Sequence, residues 1–242
     1  VYWPLCDLLG WLEGIAPTNL PKIAGLPIEE RIGIEMDPKH GKAQEGQLYA
    51  ARLRAFGERV KQGEHHCYSL VARVGLPDGM TIASAGTLGG ERRLTAVTTL
   101  PDTPECLWPR CPQTLKSKLA NVRRGPGVRM VLATSAIFDG GWRPGWLEKA
   151  GSGAEHLPAG IANVKLEMVG AAVGRRVPVS GWSVRENQSR EIRWMVPAGS
   201  TYFFKVTSGD PKALFEKAWM KPVSDNEQDR RDGLGLALWG IW

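Results

Sequence analysis

The chain has 242 residues, of which 43% are hydrophobic and 23% charged, which suits one or two domains with a sizeable core. No apolar run is as long as the roughly 18 residues that a membrane-spanning helix needs. The four cysteines form no CxxC pair and no regular framework, so a disulfide scaffold is excluded and a reducing, cytoplasmic compartment is expected. The net charge of +6 favours an anionic partner without identifying it as a nucleic acid.

The N-terminal half is predicted to contain one helix and several short strands. Leucines at helical spacing predict a helix that ends near Glu13, and three prolines then form an irregular connector. Alternating apolar residues predict the strands Ile28–Asp37, Gln47–Phe56, Cys67–Val74, Thr81–Ala85 and Leu94–Thr99. A proline-rich break follows, and we expect the first domain to span residues 1–112.

The C-terminal half, residues 113–242, has a strand-helix-strand-strand-helix-strand rhythm after a helix at Thr114–Val122. The remaining predicted elements are strands at Val128–Phe138, Ala162–Ala172, Tyr202–Val206 and Leu234–Ile241, helices at Gly145–Ala150 and Pro211–Trp219, and a hairpin of Arg175–Val184 and Arg190–Val196. This order predicts an α+β fold of the ferredoxin-like, RRM-like type with an inserted β-hairpin. Sheets of this kind can keep one face for a ligand.

Four arginine pairs lie next to glycines, namely Arg92-Arg93, Arg123-Arg124, Arg175-Arg176 and Arg230-Arg231. Glycine turns allow backbone N–H groups to approach an anion closely, and the arginine fork matches phosphate. The recurrence favours a surface that binds a nucleic-acid backbone. Arginine pairs beside turns are also common on ordinary protein surfaces, so both interpretations stay open.

The last 13 residues, Arg230–Trp242, contain the clearest of these motifs. Gly233 and Gly235 stand between an arginine pair and an apolar run. A dinucleotide-binding loop would lead into a helix, whereas Leu236–Trp242 predicts a final buried strand. The glycines therefore form either a loop that binds a ligand through its backbone or a tight turn before the last strand.

Three of the ten tryptophans, Trp142, Trp146 and Trp182, lie beside glycine or proline in predicted loops. Tryptophan can stack on unpaired bases. Most large aromatic side chains instead fill cores and interfaces. Either a partner surface or core packing accounts for these three positions.

The four histidines are the natural candidates for catalysis. A metal-independent ribonuclease needs a base, an acid and a cation, and His66, Tyr49 and Lys61 have suitable chemistry. No spacing requires that they meet, and loop histidines are commonly only solvated. We predict no catalytic residue and no cofactor.

A zinc site is conceivable from Cys106 and Cys111 together with His65, His66 and Cys67. Their spacing matches no common zinc pattern. We therefore predict no metal site.

Five segments, in order along the chain, resemble one family. They are Glu30–Ile34 with Glu45–Tyr49, Leu88–Arg93, Val179–Trp182, Val196–Phe204 and Asp232–Leu238. Together they are similar to the third subunit of the Cmr complex, the type III-B CRISPR effector, within the RAMP superfamily.

The resemblance implies a subunit without catalytic activity in an antiviral, RNA-guided ribonucleoprotein. Such a subunit holds the 5′ tag of the CRISPR RNA and docks on the large polymerase-like subunit and the neighbouring backbone subunit. The resemblance also implies tandem ferredoxin-like domains with inserted β-hairpins. The first domain is expected to be incomplete, because this chain opens after the family's first strand.

Carried over by motif, the resemblance implies seven RNA-binding positions: Arg31, Gly89, Gly90, Arg92, Arg93, Gly233 and Gly235. Arg31 has an alternative use, since an arginine on a strand can pair with Glu29 or Asp37. The alternative function is a RAMP-type, metal-independent endoribonuclease that processes guide RNA. A third possibility is a subunit that only bridges proteins and whose glycine loops only turn the chain.

Overall fold

The computed structural model describes residues 2–17, 25–61, 64–89, 93–100, 108–119, 127–152, 156–183 and 185–242, with only the backbone described for 57–61 and 64–67. The chain forms two compact units. One unit comprises residues 1–3 and 21–108, and the other comprises 4–20 and 109–242. The predicted domain limits of 1–112 and 113–242 stay a prediction.

The first unit is built from antiparallel hairpins. Its strands are β1 (Ile28–Met36), β2 (Ala43–Arg54), β3 (Gly57–Lys61), β4 (Glu64–Tyr68), β5 (Ala85–Leu88) and β6 (Arg93–Ala96), and each odd-numbered strand pairs with the next one. Asp37 begins the turn after β1, where its side chain accepts a hydrogen bond from the Lys39 amide. Gly41 ends that turn with a φ of 62°, a conformation that glycine adopts without steric cost.

Two strand predictions in this unit are wrong. The strand predicted at Cys67–Val74 lies earlier, at Glu64–Tyr68, and residues 69–77 contain no strand. The strand predicted at Thr81–Ala85 begins only at Ala85. In both places cross-strand pairing selects the segment that becomes a strand, because β propensity is a weak, context-dependent preference.

The second unit contains a five-stranded antiparallel sheet. Its strands are β7 (Val128–Leu132), β8 (Val164–Ala172), β13 (Thr201–Gly209), β14 (Lys221–Pro222) and β15 (Leu236–Ile241). They lie in the order β14-β15-β7-β13-β8. The four longer strands, numbered from one to four along the chain, therefore lie in the spatial order four-one-three-two. The predicted α+β class with antiparallel sheets is confirmed.

One face of this sheet carries an aromatic core. Tyr202 and Phe204 on β13, Met130 on β7 and Trp239 on β15 are fully buried there. The rings of Tyr202 and Phe204 stack with their centroids 6.3 Å apart. Burial of such large side chains supplies most of the hydrophobic stabilisation of a unit of this size.

The helices are short. They are α1 (Leu5–Leu12), α2 (Gln113–Leu119), α3 (Lys212–Glu216) and α4 (Glu227–Arg231), with a 3₁₀ helix at Gly145–Lys149. The opposite sheet face is covered in part by α1, because Leu12 packs against Gly240, where no side chain intervenes. No helix in the described part of the chain has the length and apolar composition that a membrane crossing requires.

A β-hairpin is inserted between β8 and β13, as predicted. Its strands are β9 (Val177–Val179), β10 (Trp182–Ser183), β11 (Gln188–Ser189) and β12 (Arg193–Met195), with β9 paired to β12 and β10 paired to β11. We call residues 173–183 and 185–196 the arm. The strand predicted at Val128–Phe138 ends at Leu132, because Ala136 forms a bridge with Val196 at the base of the arm instead of extending β7.

Candidate nucleic-acid interface

Two of the predicted RNA-binding arginines meet on the β1–β2 hairpin. The Arg31 Nε donates a hydrogen bond of 2.7 Å to Glu29 Oε1, and Arg93 Nη1 of β6 lies 3.6 Å from Glu29 Oε2. Glu29 and Arg31 share a face because side chains two residues apart on a strand point the same way. We call Glu29, Arg31 and Arg93 the Glu29 cluster.

The Glu29 cluster is electropositive, since two guanidinium groups share one carboxylate. The hydrogen bond from Arg31 lowers the pKa of Glu29 below its usual value, and the charge of Arg93 acts in the same direction. The side chains of Arg31 and Arg93 remain 56% and 37% exposed. Each guanidinium has five donors, so both retain groups that can reach a phosphate.

Tyr49 adds an aromatic ring to the same hairpin face. It lies opposite Gly33 in the register of β1 and β2, and a Cβ on Gly33 would overlap its ring. The Tyr49 side chain crosses this glycine and is 53% exposed. The sequence drew attention to Tyr49 as part of a family motif and as a possible ribonuclease group, but not as a ring on the same face as Arg31. The alternation of β1 and an aromatic residue opposite a glycine are the signals that identify that place.

The predicted glycine loop follows β5. Gly89 has a φ of 79° and no atom near the position of a Cβ, so it forms an open turn beside the last cross-strand pair, Leu88 and Arg93. Gly90 and Arg92 lie outside the described residues. The structure therefore brings Arg31 and Arg93 together and leaves Gly89 at the turn that leads to Arg93.

Gly233 and Gly235 use their backbone amides within the chain. The Gly235 N–H donates to the Ser135 carbonyl at 2.8 Å, and the Gly233 N–H donates to the Arg230 carbonyl at 3.1 Å. Thr134 Oγ1 donates to the Gly233 carbonyl and accepts from the amide of Leu236. These bonds match the tight-turn interpretation of the motif, and the role of both glycines in RNA binding stays a prediction.

The arginine pair before these glycines also contacts its own chain. Arg230 donates to the carbonyls of Ser224, Asp225 and His156, and Arg231 pairs with Glu227 at 2.6 Å. The pair Arg123-Arg124 lies outside the described residues. In the pair Arg175-Arg176, Arg176 lies over the Trp194 ring with its guanidinium carbon 4.3 Å from the ring centroid.

The three loop tryptophans divide between core and surface. Trp146 is buried and donates from Nε1 to the Val223 carbonyl at 2.8 Å, so it is a core residue. Trp142 and Trp182 are 50% and 59% exposed. Only these last two keep ring area for a partner.

The histidines and cysteines do not assemble a metal site within the described residues. His40 Nδ1 lies 2.5 Å from Asp37 Oδ2 on the exposed turn after β1, and this contact lowers the pKa of Asp37. Cys111 is half-buried, and burial raises the pKa of its thiol to about 11. The side chains of His65, His66, Cys67 and Cys106, and that of Lys61, lie outside the described residues.

The described units define a class of protein with antiparallel sheets, short helices, and exposed arginine and aromatic side chains on β-hairpins. The chain belongs to the Cas_Cmr3 family of CRISPR-associated proteins, whose family model matches residues 1–242. That family is the Cmr3 subunit of the type III-B CRISPR complex, which confirms the resemblance found in the five motifs. A comparison with curated proteins finds no match.

Proposed function

We propose that this chain is a non-catalytic RNA-binding subunit of the type III-B CRISPR effector. In this role it holds the 5′ tag of the CRISPR RNA and docks on the large polymerase-like subunit and the neighbouring backbone subunit. The observation that carries the proposal is the family match over residues 1–242. The proposal includes a cytoplasmic location, which the irregular cysteine spacing supports.

The Glu29 cluster supports RNA binding by the first unit. Arginine neutralises phosphate and releases counterions, which supplies much of the affinity for nucleic acids. An exposed ring such as Tyr49 can stack on an unpaired base. A single-stranded tag offers both groups, because its phosphates and its base faces are accessible together.

The strand order of the second unit supports the proposal that this unit has a ferredoxin-like fold. A split βαβ arrangement with antiparallel neighbours places its four strands in the order four-one-three-two, and β15, β7, β13 and β8 follow that order. The 3₁₀ helix at Gly145–Lys149 stands where the first helix is expected, and α3 stands where the second is expected. We extend the ferredoxin-like proposal to the first unit from the family resemblance.

The proposal is tested by measuring the tag-RNA affinity of the full chain and of a double variant that carries Arg31→Ala and Arg93→Ala. We expect the double variant to lose about 1–3 kcal/mol for each charge-assisted contact removed. Arg143→Ala is the matched control, since Arg143 is an exposed arginine paired with Glu148 at 3.1 Å in the second unit. If the parental chain does not bind tag RNA, the proposed function is wrong, and a subunit that only bridges proteins becomes the better account.

A guide-RNA-processing endoribonuclease is the second candidate, favoured by the contact between His40 and Asp37. A carboxylate that orients a histidine is a common arrangement for general acid–base catalysis. Precursor RNA incubated with the chain without divalent metal should stay intact under the scaffold proposal. Discrete cleavage that disappears in His40→Ala or His66→Ala would establish the enzyme instead.

A further inference from the structure

The arm is rich in arginine and poor in acidic residues. Residues 173–196 contain Arg175, Arg176, Arg185, Arg190 and Arg193, two glutamates, and neither lysine nor aspartate. An exposed hairpin of this composition has an excess of positive charge. Its charge complements an anionic chain.

The base of the arm is fixed to the second unit. Arg193 donates from Nη1 and Nη2 to the two carboxylate oxygens of Asp229 at 2.7 Å and 2.5 Å, and the Asp229 side chain is only 3% exposed. The bridge between Ala136 and Val196 adds two backbone hydrogen bonds of 2.9 Å and 2.8 Å. A bidentate pair of this kind holds a defined geometry, so one face of the arm points towards α4.

The opposite face of the arm points to solvent. Pro178 and Trp194 are cross-strand partners on that face, because they alternate with Val179 and Arg193. The Arg176 guanidinium lies over the Trp194 ring. Trp194 is 45% exposed, and Trp182, nearer the tip, is 59% exposed. Both indole rings and arginine planes are surfaces on which unpaired bases stack.

We propose that the exposed side chains of the arm bind single-stranded RNA. Bases stack on Trp182 and on the pair of Arg176 and Trp194, while the exposed Arg175 and Arg190 contact phosphates. The inference rests on the proposed function and adds an RNA contact in the second unit, separate from the Glu29 cluster. Duplex RNA does not fit this surface, because its base faces are already stacked.

The test uses the full chain and a fluorescent oligouridylate of about 12 nucleotides, within the usual span of single-strand-binding folds. We expect Trp182→Ala to weaken binding about tenfold, which corresponds to the loss of one stacked base. Trp182→Phe should recover most of the affinity. Val169→Ala is the control, since Val169 is 49% exposed on β8 and lies outside the arm, and it should bind like the parent.

A photo-crosslink from 4-thiouridine in the same probe should map to the arm, and duplex RNA should not compete. Equal affinity of Trp182→Ala and the parent would overturn the arm proposal while leaving the proposed function intact. Failure of the parental chain to bind either tag RNA or oligouridylate would overturn both. If Trp182→Ala keeps RNA affinity but loses a co-purifying subunit, the arm contacts a protein and the proposal is wrong.

Discussion

At the scale of single residues, Gly233 and Gly235 share a backbone conformation but differ in their surroundings. Their φ values are 79° and 85°. No atom lies within 4 Å of a Cβ built on Gly233, whereas a Cβ on Gly235 would lie 2.9 Å from Ser224 Oγ and 3.1 Å from Ala136 Cβ. Gly233 is required by the turn alone, and Gly235 is required by the turn and by packing.

We therefore expect Gly235→Ala to lower the free energy of unfolding more than Gly233→Ala. The left-handed backbone costs each alanine about 1–2 kcal/mol. Overpacking at Gly235 adds about 1–3 kcal/mol. Urea denaturation of the two variants measures the difference, and equal losses would contradict the packing that the structure shows around Gly235.

Cys111 and Cys6 are predicted to differ in reactivity. Burial raises the pKa of the Cys111 thiol to about 11, so the unreactive protonated form dominates at pH 8. Cys6 is exposed. Iodoacetamide followed by peptide mass spectrometry should label Cys6 well before Cys111, and labelling of Cys111 should rise as the pH approaches 11. Equal rates at pH 8 would show that Cys111 is not held in a buried site.

At the scale of structural elements, the arm and α4 depend on each other through Arg193 and Asp229. Removing Arg193 leaves a carboxylate with 3% exposure without its partner, which is costly because a buried charge needs compensation. The guanidinium is 46% exposed, so solvent screening moderates the effect. The arm therefore has a fixed base without being part of the sheet core.

A double-mutant cycle of Arg193→Ala and Asp229→Ala should give a coupling energy of about 1–3 kcal/mol. The exposed pair of Arg143 and Glu148 is the comparison, with side chains 50% and 78% exposed. Its coupling should stay below about 1 kcal/mol. Similar coupling in both cycles would mean that burial of Asp229 contributes nothing to the arm's attachment.

At the scale of the whole molecule, the net charge of +6 indicates a binding surface only when the positions of the charged side chains are known. Part of the positive charge serves the fold, as in Arg230 and Arg231, which pair within the second unit. Arg31 and Arg93 keep exposed donors in the first unit, and several arginines of the arm do so in the second. Each unit thus presents its own cationic hairpin surface.

Tag-RNA affinity should fall steeply as salt rises. Each phosphate contact contributes a slope of about −0.7 in a plot of log K against log salt for a single strand. Arg31→Ala with Arg93→Ala should make that slope shallower, whereas Arg143→Ala should leave it unchanged. A response that is flat for the parental chain would exclude phosphate contacts as the source of affinity.

The sequence by itself determined the features that depend on local pattern. Alternation located β1, two strand-like segments located the inserted hairpin, and a short apolar run located the last strand. The ordered motifs indicated the family, because each of these signals lies within a short window of residues. The sequence also suggested that Arg31 could pair with Glu29. The boundaries of β4 and β5 were missed, because isolated propensity does not reveal which segment finds a strand partner.

Only the tertiary structure decided which residues far apart in the sequence contact each other. Arg93 reaches Glu29 across two hairpins, Asp229 receives Arg193 from the arm, and Thr134 occupies the amide and carbonyl groups of the terminal glycine turn. The glycine-rich motif alone fits two cases: a glycine whose amide is available to a ligand, and a glycine whose amide is already hydrogen-bonded within the chain. Chain folding distinguishes them, since every buried N–H must find an acceptor within the structure.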